Sequence, residues 1–327
     1  MSVVLAADIG GTNCRLGLFR LDNGLLQLDR MTWIETGSVP HTEALLAAFE
    51  RELEQTPHEV DAVVVAIAGP VEDCSRGRLT NGGLNIDFAP LNTLRRRFFL
   101  INDFMAQAYA VVSPEGEKAE LIAGPSVPES DGMRAVIGAG TGLGQASLMR
   151  IDANYNLHTS QWLAIPSENG HAAFPFTSDE ENECNNFMRK EWGVPFVTGD
   201  MVVSGRGLAC LHQFLTGEKL TPPEVGRKAL GCETRTLQWF SRFYARACRN
   251  WILTTLCNGG LWIAGGIAAQ NPMLVKCHEF KSELYRHPQW ENYLRSVPLY
   301  MMSDDNSGLW GSARFGQQQV GSAPRPN

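Results

Sequence analysis

The chain has 327 residues, 44% of them hydrophobic and 19% charged, with a formal net charge of −7 at pH 7. A chain of this length can bury a sizeable core and is expected to form two domains. No cluster of Lys or Arg goes beyond Arg95-Arg96-Arg97, and no apolar run approaches the ~20 residues that cross a bilayer, which excludes the usual nucleic-acid and membrane-spanning classes.

The opening Met1–Ile9 has no basic head and meets Asp8 too early for a signal peptide, so the expected setting is the cytoplasm. Eight cysteines lie scattered without a CxxC or CxC pair; they read as reduced thiols filling the core, not as a zinc cluster or a disulfide framework.

The first organised stretch is Asp8-Ile9-Gly10-Gly11-Thr12-Asn13, between the apolar runs Val3–Ala7 and Arg15–Phe19. A strand, a glycine turn bearing a hydroxyl, and a second strand make a hairpin whose tip can bring backbone N–H groups and Thr12 to a phosphate. Asp8, at the end of the first strand, would stand where a magnesium ion could be held. A third strand is expected at Leu25–Glu35, then a helix near Thr42–Glu54 with Leu45, Ala48, Phe49 and Leu53 on one face. Ala62–Ala68 is a continuous β-branched run stopped by Gly69-Pro70, as in a fully buried strand. Residues 71–88, including Asn81-Gly82-Gly83 and Asn85, read as a turn-rich loop that either borders a ligand or is plain surface. Arg97–Ile101 is a short strand ending in Asn102-Asp103-Phe104 before a helix through Met105–Val112. A carboxylate and an amide at the carboxyl end of a strand sit where open α/β sheets place ligand chemistry, although Asp103 could instead be the helix N-cap.

Ser113–Asp131, rich in Pro, Gly and Glu, reads as a passage between domains. A second hairpin then repeats the first: Ala135–Gly138, the turn Ala139-Gly140-Thr141-Gly142-Leu143, and Gly144–Ile151. Two such turns point to a duplicated unit whose halves face one polyphosphate; singly, each is as well explained as an ordinary tight hairpin. A strand at Leu157–Ile165 leads to the polar loop Pro166-Ser167-Glu168-Asn169-Gly170-His171. Helices are expected at Asp179–Trp192 and Gly207–Leu215, with Gly199-Asp200 between them, and one starting at Pro222-Pro223. The longest helical pattern, Glu233–Cys257, carries Leu237, Phe240, Tyr244, Ala247 and Trp251 on a stripe that reads as core. After the strand Leu261–Ala264, Gly265-Gly266 either admits an adenine or ribose or is a close strand-to-helix turn. A last strand at Val297–Met302 and a helix at Gly308–Gln318 precede a tail, 321–327, expected to be disordered.

Seven stretches in this order resemble the bacterial glucokinase family of the hexokinase and actin superfamily: Asp8–Asn13 (DIGGTN), Ile101–Phe104 (INDF), Gly138–Gly144 (GAGTGLG), Glu168–His171 (ENGH), Ser204–Leu208 (SGRGL), Ile263–Ile267 (IAGGI) and Asp305–Gly311 (DNSGLWG). The resemblance implies a duplicated ribonuclease H-like α/β fold with an interdomain cleft, divided into a small α/β domain (1–112 plus 306–320) and a large α+β domain (113–305). It implies ATP-dependent phosphorylation of glucose at the 6-hydroxyl, with Asp103 as general base and Asn102, Asp103, Glu168, His171 and Asp200 around the sugar. MgATP would be held by Asp8, Gly10, Gly11, Thr12, Asn13, Gly140, Thr141, Gly142, Gly265 and Gly266, with Asp8 touching Mg2+ through water. It also implies a homodimer.

Three positions depart from the family. Asp200 stands where a glutamate is usual, one methylene shorter, and Ser167 and Asn169 stand where glycines are usual in the sugar loop. Asp200 could reach the sugar by loop movement or through a water, or could only cap a helix. A related kinase and repressor family shares the Glu-x-Gly-His loop but follows it with a cysteine-rich zinc motif; here the cysteines after His171 are Cys184 and Cys210, so no structural zinc is expected. The rival expectations are a kinase for another hexose or N-acetylhexosamine, a sugar-sensing regulator without turnover, and an actin-like filament or chaperone ATPase. No basic helix-turn-helix precedes Val3, and both Asp8 and Asp103 are present, which counts against a regulator.

Overall fold

The computed structural model describes residues 2–80, 82–92, 97–126, 131–152 and 160–322, and the chain divides into two compact units. The first comprises Met1–Lys118, Leu148–Pro166 and Asp304–Asn327; the second comprises Ala119–Ser147 and Ser167–Ser303. Leu148–Pro166, expected within the second domain, therefore groups with the first. Asn81, Arg95, Arg96, the first residues of the strand expected at 157–165, and the tail from 323 onward lie outside the described residues.

In the first unit the strands β1 (Ser2–Ile9), β2 (Asn13–Asp22) and β3 (Leu25–Glu35) form an antiparallel meander. Helix α1 (Thr42–Leu53) buries Leu45, Ala48, Phe49 and Leu53, the face its spacing sets out, and ends at Glu54 in the left-handed region (φ 52°). It leads to β4 (Ala62–Ile67), which is buried at every residue and lies parallel to β1. A run of Val and Ala can be buried on both faces only where neighbours cover both sides of the sheet.

The stretch 71–88, expected as a loop, contains three short strands, β5 (Val71–Glu72), β6 (Arg76–Arg78) and β7 (Asn85–Asp87), which make their own antiparallel sheet. Its strands are two or three residues long and polar at their ends, so no alternating pattern marks them. β8 (Phe98–Asn102) completes the order β3-β2-β1-β4-β8 and runs straight into α2 (Asp103–Ala110). The helix Ser307–Ser322 packs on α2, β1 and β4. It runs four residues beyond its expected end and takes in residues 321 and 322, which were expected to be disordered.

The span 113–131 is not a bare passage: it holds α3 (Pro114–Glu117) and β9 (Glu120–Ala123). The second sheet contains β10 (Arg134–Ala139), β11 (Leu143–Ile151), β12 (Gln161–Ser167), β13 (Gly260–Ala264) and β14 (Leu299–Met301), in the order β12-β11-β10-β13-β14-β9. Leaving aside edge strand β9, this matches the first sheet: the hairpin's first strand is central, its partners lie on one side, and two later strands lie on the other. The same order twice in one chain is the structural form of the duplication expected from the paired turns.

The helices of the second unit are α4 (Asp179–Trp192), α5 (Gly199–Val202), α6 (Gly205–Thr216), α7 (Pro222–Ala229), α8 (Arg235–Thr255), α9 (Gly266–Gln270), α10 (Met273–Lys276), α11 (His278–Tyr285) and α12 (Glu291–Ser296). The stripe expected on α8 is core: Leu237, Phe240, Tyr244, Ala247 and Trp251 are all buried. Five cysteines are buried, but Cys232 is exposed and Cys74 and Cys277 are half-buried, so these three are not core fillers.

One charge on α8 is fully inside. Arg246, 1% exposed, donates from Nη1 to Glu181 Oε2 (2.6 Å), from Nη2 to Glu181 Oε1 (3.0 Å), from Nε to Glu283 Oε1 (2.9 Å) and from Nη1 to the Pro175 carbonyl (2.9 Å). A buried guanidinium is tolerated when its donors are met in this forked way. Burial works against the ionised form of Glu181, but Arg246 and the Thr177 amide and hydroxyl outweigh it and hold the carboxyl below its ordinary value of 4.5. A depressed carboxyl pKa contributes stability that is complete above the unfolded value and is lost as the pH falls through the folded value. Glu181→Ala should cost ~3–5 kcal/mol, because it removes two carboxylate bonds from a buried cation and leaves it only Glu283 and the Pro175 carbonyl. In urea titrations the wild type should lose stability as the pH drops below about 4.5, and the variant should lack that component.

Candidate active site

The first glycine turn follows from strand register. Asp8 on β1 lies opposite Arg15 on β2, and Arg15 lies opposite Trp33 on β3, so the three side chains share one face of the meander. Arg15 Nη1 donates to Asp8 Oδ2 at 3.0 Å, and its guanidinium sits 4.2 Å from the centre of the Trp33 ring. Asp8 is only 8% exposed. Burial pushes its pKa up, and the Arg15 charge and hydrogen bond only partly counter that. A desolvated, incompletely compensated carboxylate fits a role beside a hydrated divalent cation, whose charge would favour the ionised form.

The helix Ser307–Ser322 begins against Asp8: a Cβ on Gly308 would lie 2.6 Å from Asp8 Oδ2. The turn itself is tied to the end of β3. The Thr36 amide donates to the Thr12 carbonyl (2.9 Å) and the Thr36 hydroxyl to the Gly10 carbonyl (2.8 Å), while Gly11, Thr12 and Asn13 are exposed. With those carbonyls turned inward, the tip presents itself to solvent.

At the end of β8, the question of which residue caps α2 is decided. Asn102 is the N-cap: its Oδ1 accepts from the Phe104 amide (2.9 Å) and its Nδ2 donates to the Gly69 carbonyl (3.2 Å). Asp103 is the first helical residue, half-buried, and is not used as the cap. The alternative of a capping aspartate falls, because Asn102 takes that bond.

In the second unit the turn Gly140-Thr141-Gly142 joins β10 to β11, with Thr141 exposed. It is held from below by the segment that carries α5 and the start of α6. The Leu143 amide donates to Asp200 Oδ1 (2.8 Å), and the Gly205 amide donates to the Gly140 carbonyl (2.9 Å). A Cβ on Gly142 would lie 2.1 Å from Asp200 Oδ1, so glycine is needed here for the carboxylate to reach the amide. Asp200 is in the first turn of α5, but the cap of that helix is Thr198, whose hydroxyl accepts from Met201 N. The structure thus gives Asp200 a bond that none of the three expected alternatives included.

The loop Ser167–His171 ends in a single helical turn, Asn169–His171. Glu168 Oε2 and His171 Nε2 are 3.5 Å apart, and both side chains are exposed. Asn169, one of the two non-glycine departures, donates from Nδ2 to Gln145 Oε1 (3.1 Å), and its amide donates to the Ser167 hydroxyl (3.1 Å). The two departures therefore brace the loop internally. A recess lined by Leu143, Gln145, Asn169, Ala172, Phe174 and Asn250 adjoins it.

Gly265, at φ 86°, ends β13 and begins α9. A Cβ there would meet the Ala139 carbonyl at 2.6 Å, so close packing of β13 on β10 accounts for this glycine. Gly266 opens the helix. The site residues that sequence reasoning missed are Arg15, Thr36, Gly205 and Gly308. Arg15 could have been found from hairpin register, which sets it opposite Asp8; the others act across long separations that leave no local pattern.

The family model for glucokinase matches residues 5–319. A glucokinase of Erwinia tasmaniensis is 30% identical over 330 residues, covering 97% of this chain and 98% of the relative. Among solved structures, a glucokinase from an Antarctic psychrotroph superposes with a TM-score of 0.81 at 24% identity, covering 97% of this chain and 99% of that one. A ROK family glucokinase from Streptomyces griseus in complex with glucose and AMPPNP superposes with a TM-score of 0.63 at 15% identity, covering 97% and 100%. The fold is that of the actin-like ATPase sugar kinases, and the match across nearly the whole chain places this protein in the glucokinase family.

Proposed function

We propose that this chain phosphorylates glucose at its 6-hydroxyl with ATP, giving glucose 6-phosphate and ADP. The observation that carries the proposal is the full-length family match, 5–319, which includes both glycine turns and the Asn102-Asp103 strand end. The complex of the Streptomyces griseus relative with glucose and AMPPNP supports the same pair of substrates.

The roles assigned to residues follow from their chemistry. A sugar hydroxyl is a weak nucleophile; Asp103 accepts its proton as the oxygen bonds to the γ-phosphorus and the bond to the β-phosphate oxygen breaks, with ADP leaving. Asn102 makes the capping bond of α2, and Asp103 stands in the first turn of that helix at the end of β8. Asn102, Glu168 and His171 hold sugar hydroxyls, and Glu168 and His171 are exposed and adjacent as such contacts require. The turn 10–13 and the turn 140–142 offer backbone N–H dipoles to the phosphates, and Gly266, with space where a side chain would stand, leaves room for the nucleoside. Mg2+ carried with ATP would neutralise charge on the transferred group, and Asp8 would hold it through water. The reading includes a cytoplasmic homodimer, in keeping with the family resemblance.

Asp103→Asn should lower kcat by about 10²–10⁴-fold, the usual contribution of a positioned general base, while glucose affinity by tryptophan fluorescence stays close to wild type. A kcat near that of the wild type would remove Asp103 from the base role. In a coupled ADP-release assay over glucose, mannose, fructose and N-acetylglucosamine with MgATP, glucose should give the highest kcat/KM. A higher value for another sugar would reassign the substrate, and no release with any of them would overturn the kinase reading.

A further inference from the structure

We propose that Asp200 is a positioning residue for the nucleotide turn rather than a ligand of the sugar. This rests on the kinase reading above and deepens it by assigning a residue that was expected at the sugar.

Three observations converge on it. Asp200 Oδ1 accepts the Leu143 amide at 2.8 Å, so the carboxylate is anchored at the residue immediately after Gly140-Thr141-Gly142. Gly142 leaves the space that Asp200 Oδ1 occupies, since a Cβ there would lie 2.1 Å from it. The same segment fastens the other end of the turn, with Gly205 N donating to the Gly140 carbonyl. The turn is therefore held at its entry and its exit by one short stretch, 200–205, and Asp200 supplies the only side chain in the pair of bonds.

The sugar loop does not depend on Asp200. Its bonds run Asn169 N to Ser167 Oγ, Asn169 Nδ2 to Gln145 Oε1, His171 N to the Glu168 carbonyl, and Gly199 N to the Ala172 carbonyl. Removing the Asp200 side chain leaves each of these in place and frees only the Leu143 amide.

The bond needs an acceptor oxygen, not a charge. Asp200→Asn keeps such an oxygen, whereas Asp200→Ala removes it. Asp200→Ala should raise the KM for MgATP and weaken MgADP binding by calorimetry about tenfold, the scale of one stranded amide, and leave glucose binding without nucleotide within about threefold. Asp200→Asn should restore nucleotide binding to within about threefold of wild type. The retained glucose binding also reports that the variants are folded.

A loss of glucose binding in Asp200→Ala with unchanged MgADP binding would make Asp200 a sugar ligand and overturn the proposal. Equal defects in the Ala and Asn variants would overturn it as well, because charge would then be the requirement. Wild-type protein that binds MgADP but phosphorylates no sugar would sink the kinase reading alone, since the MgADP comparison of the three proteins still decides the role of Asp200.

Discussion

At the second glycine turn a carboxylate rests on a backbone amide, and there it can do so only because the residue before that amide has no side chain. Gly142 meets this condition, and the bond from Leu143 N to Asp200 Oδ1 follows from it. The neighbouring sugar loop obeys the same constraint. A Cβ on Gly170 would lie 2.2 Å from the Leu143 carbonyl, so the two segments pack backbone to backbone. Direct backbone contact of this kind keeps each segment in place, and phosphoryl transfer draws on such rigidity when positioning supplies most of the rate.

The two halves of the duplication reach comparable turns by different means. The first turn is tied by a neutral hydroxyl and an amide of Thr36, acting on the Gly10 and Thr12 carbonyls. The second is tied by a carboxylate and the amide of Gly205. Charge in the first half is concentrated instead on Asp8, which burial leaves under-compensated despite Arg15. The shared sheet order thus carries unequal electrostatics: an acidic group suited to a hydrated cation in one half, and an acidic group already committed to the backbone in the other.

Much of the rest is scaffold. Arg246 and its two glutamates tie α8 to α4 and α11 through a fully bonded buried cluster, and the apolar stripe of α8 lies against the second sheet through Tyr244, whose hydroxyl accepts from the Ala139 amide (3.2 Å). That bond ends on the last residue before the second turn. A helix recognised as core therefore also steadies the strand that presents Gly140.

Local pattern was enough for the regular parts. Apolar runs around glycine turns marked both hairpins, a β-branched run marked β4, helical spacing marked α1 and α8, and the repeated glycine turn announced the duplication, because each of these depends on neighbours within a few residues. The strands between 71 and 88, the edge strand β9 and the grouping of Leu148–Pro166 with the first unit were not legible. Short strands are stabilised by partners far along the chain, as β9 is by β14. The site divides in the same way. Asp8, Asn102 and Asp103 could be singled out from residue type and place at the end of a strand, whereas Glu168 and His171 were named through the family resemblance. That Thr36 fastens the first turn and that Asp200 spends a carboxylate oxygen on Leu143 were decided only by folding, since hydrogen bonds between residues 26 and 57 apart leave no trace in the spacing of either partner, and the choice of Asn102 over Asp103 as cap is open in the sequence because both residue types serve as caps.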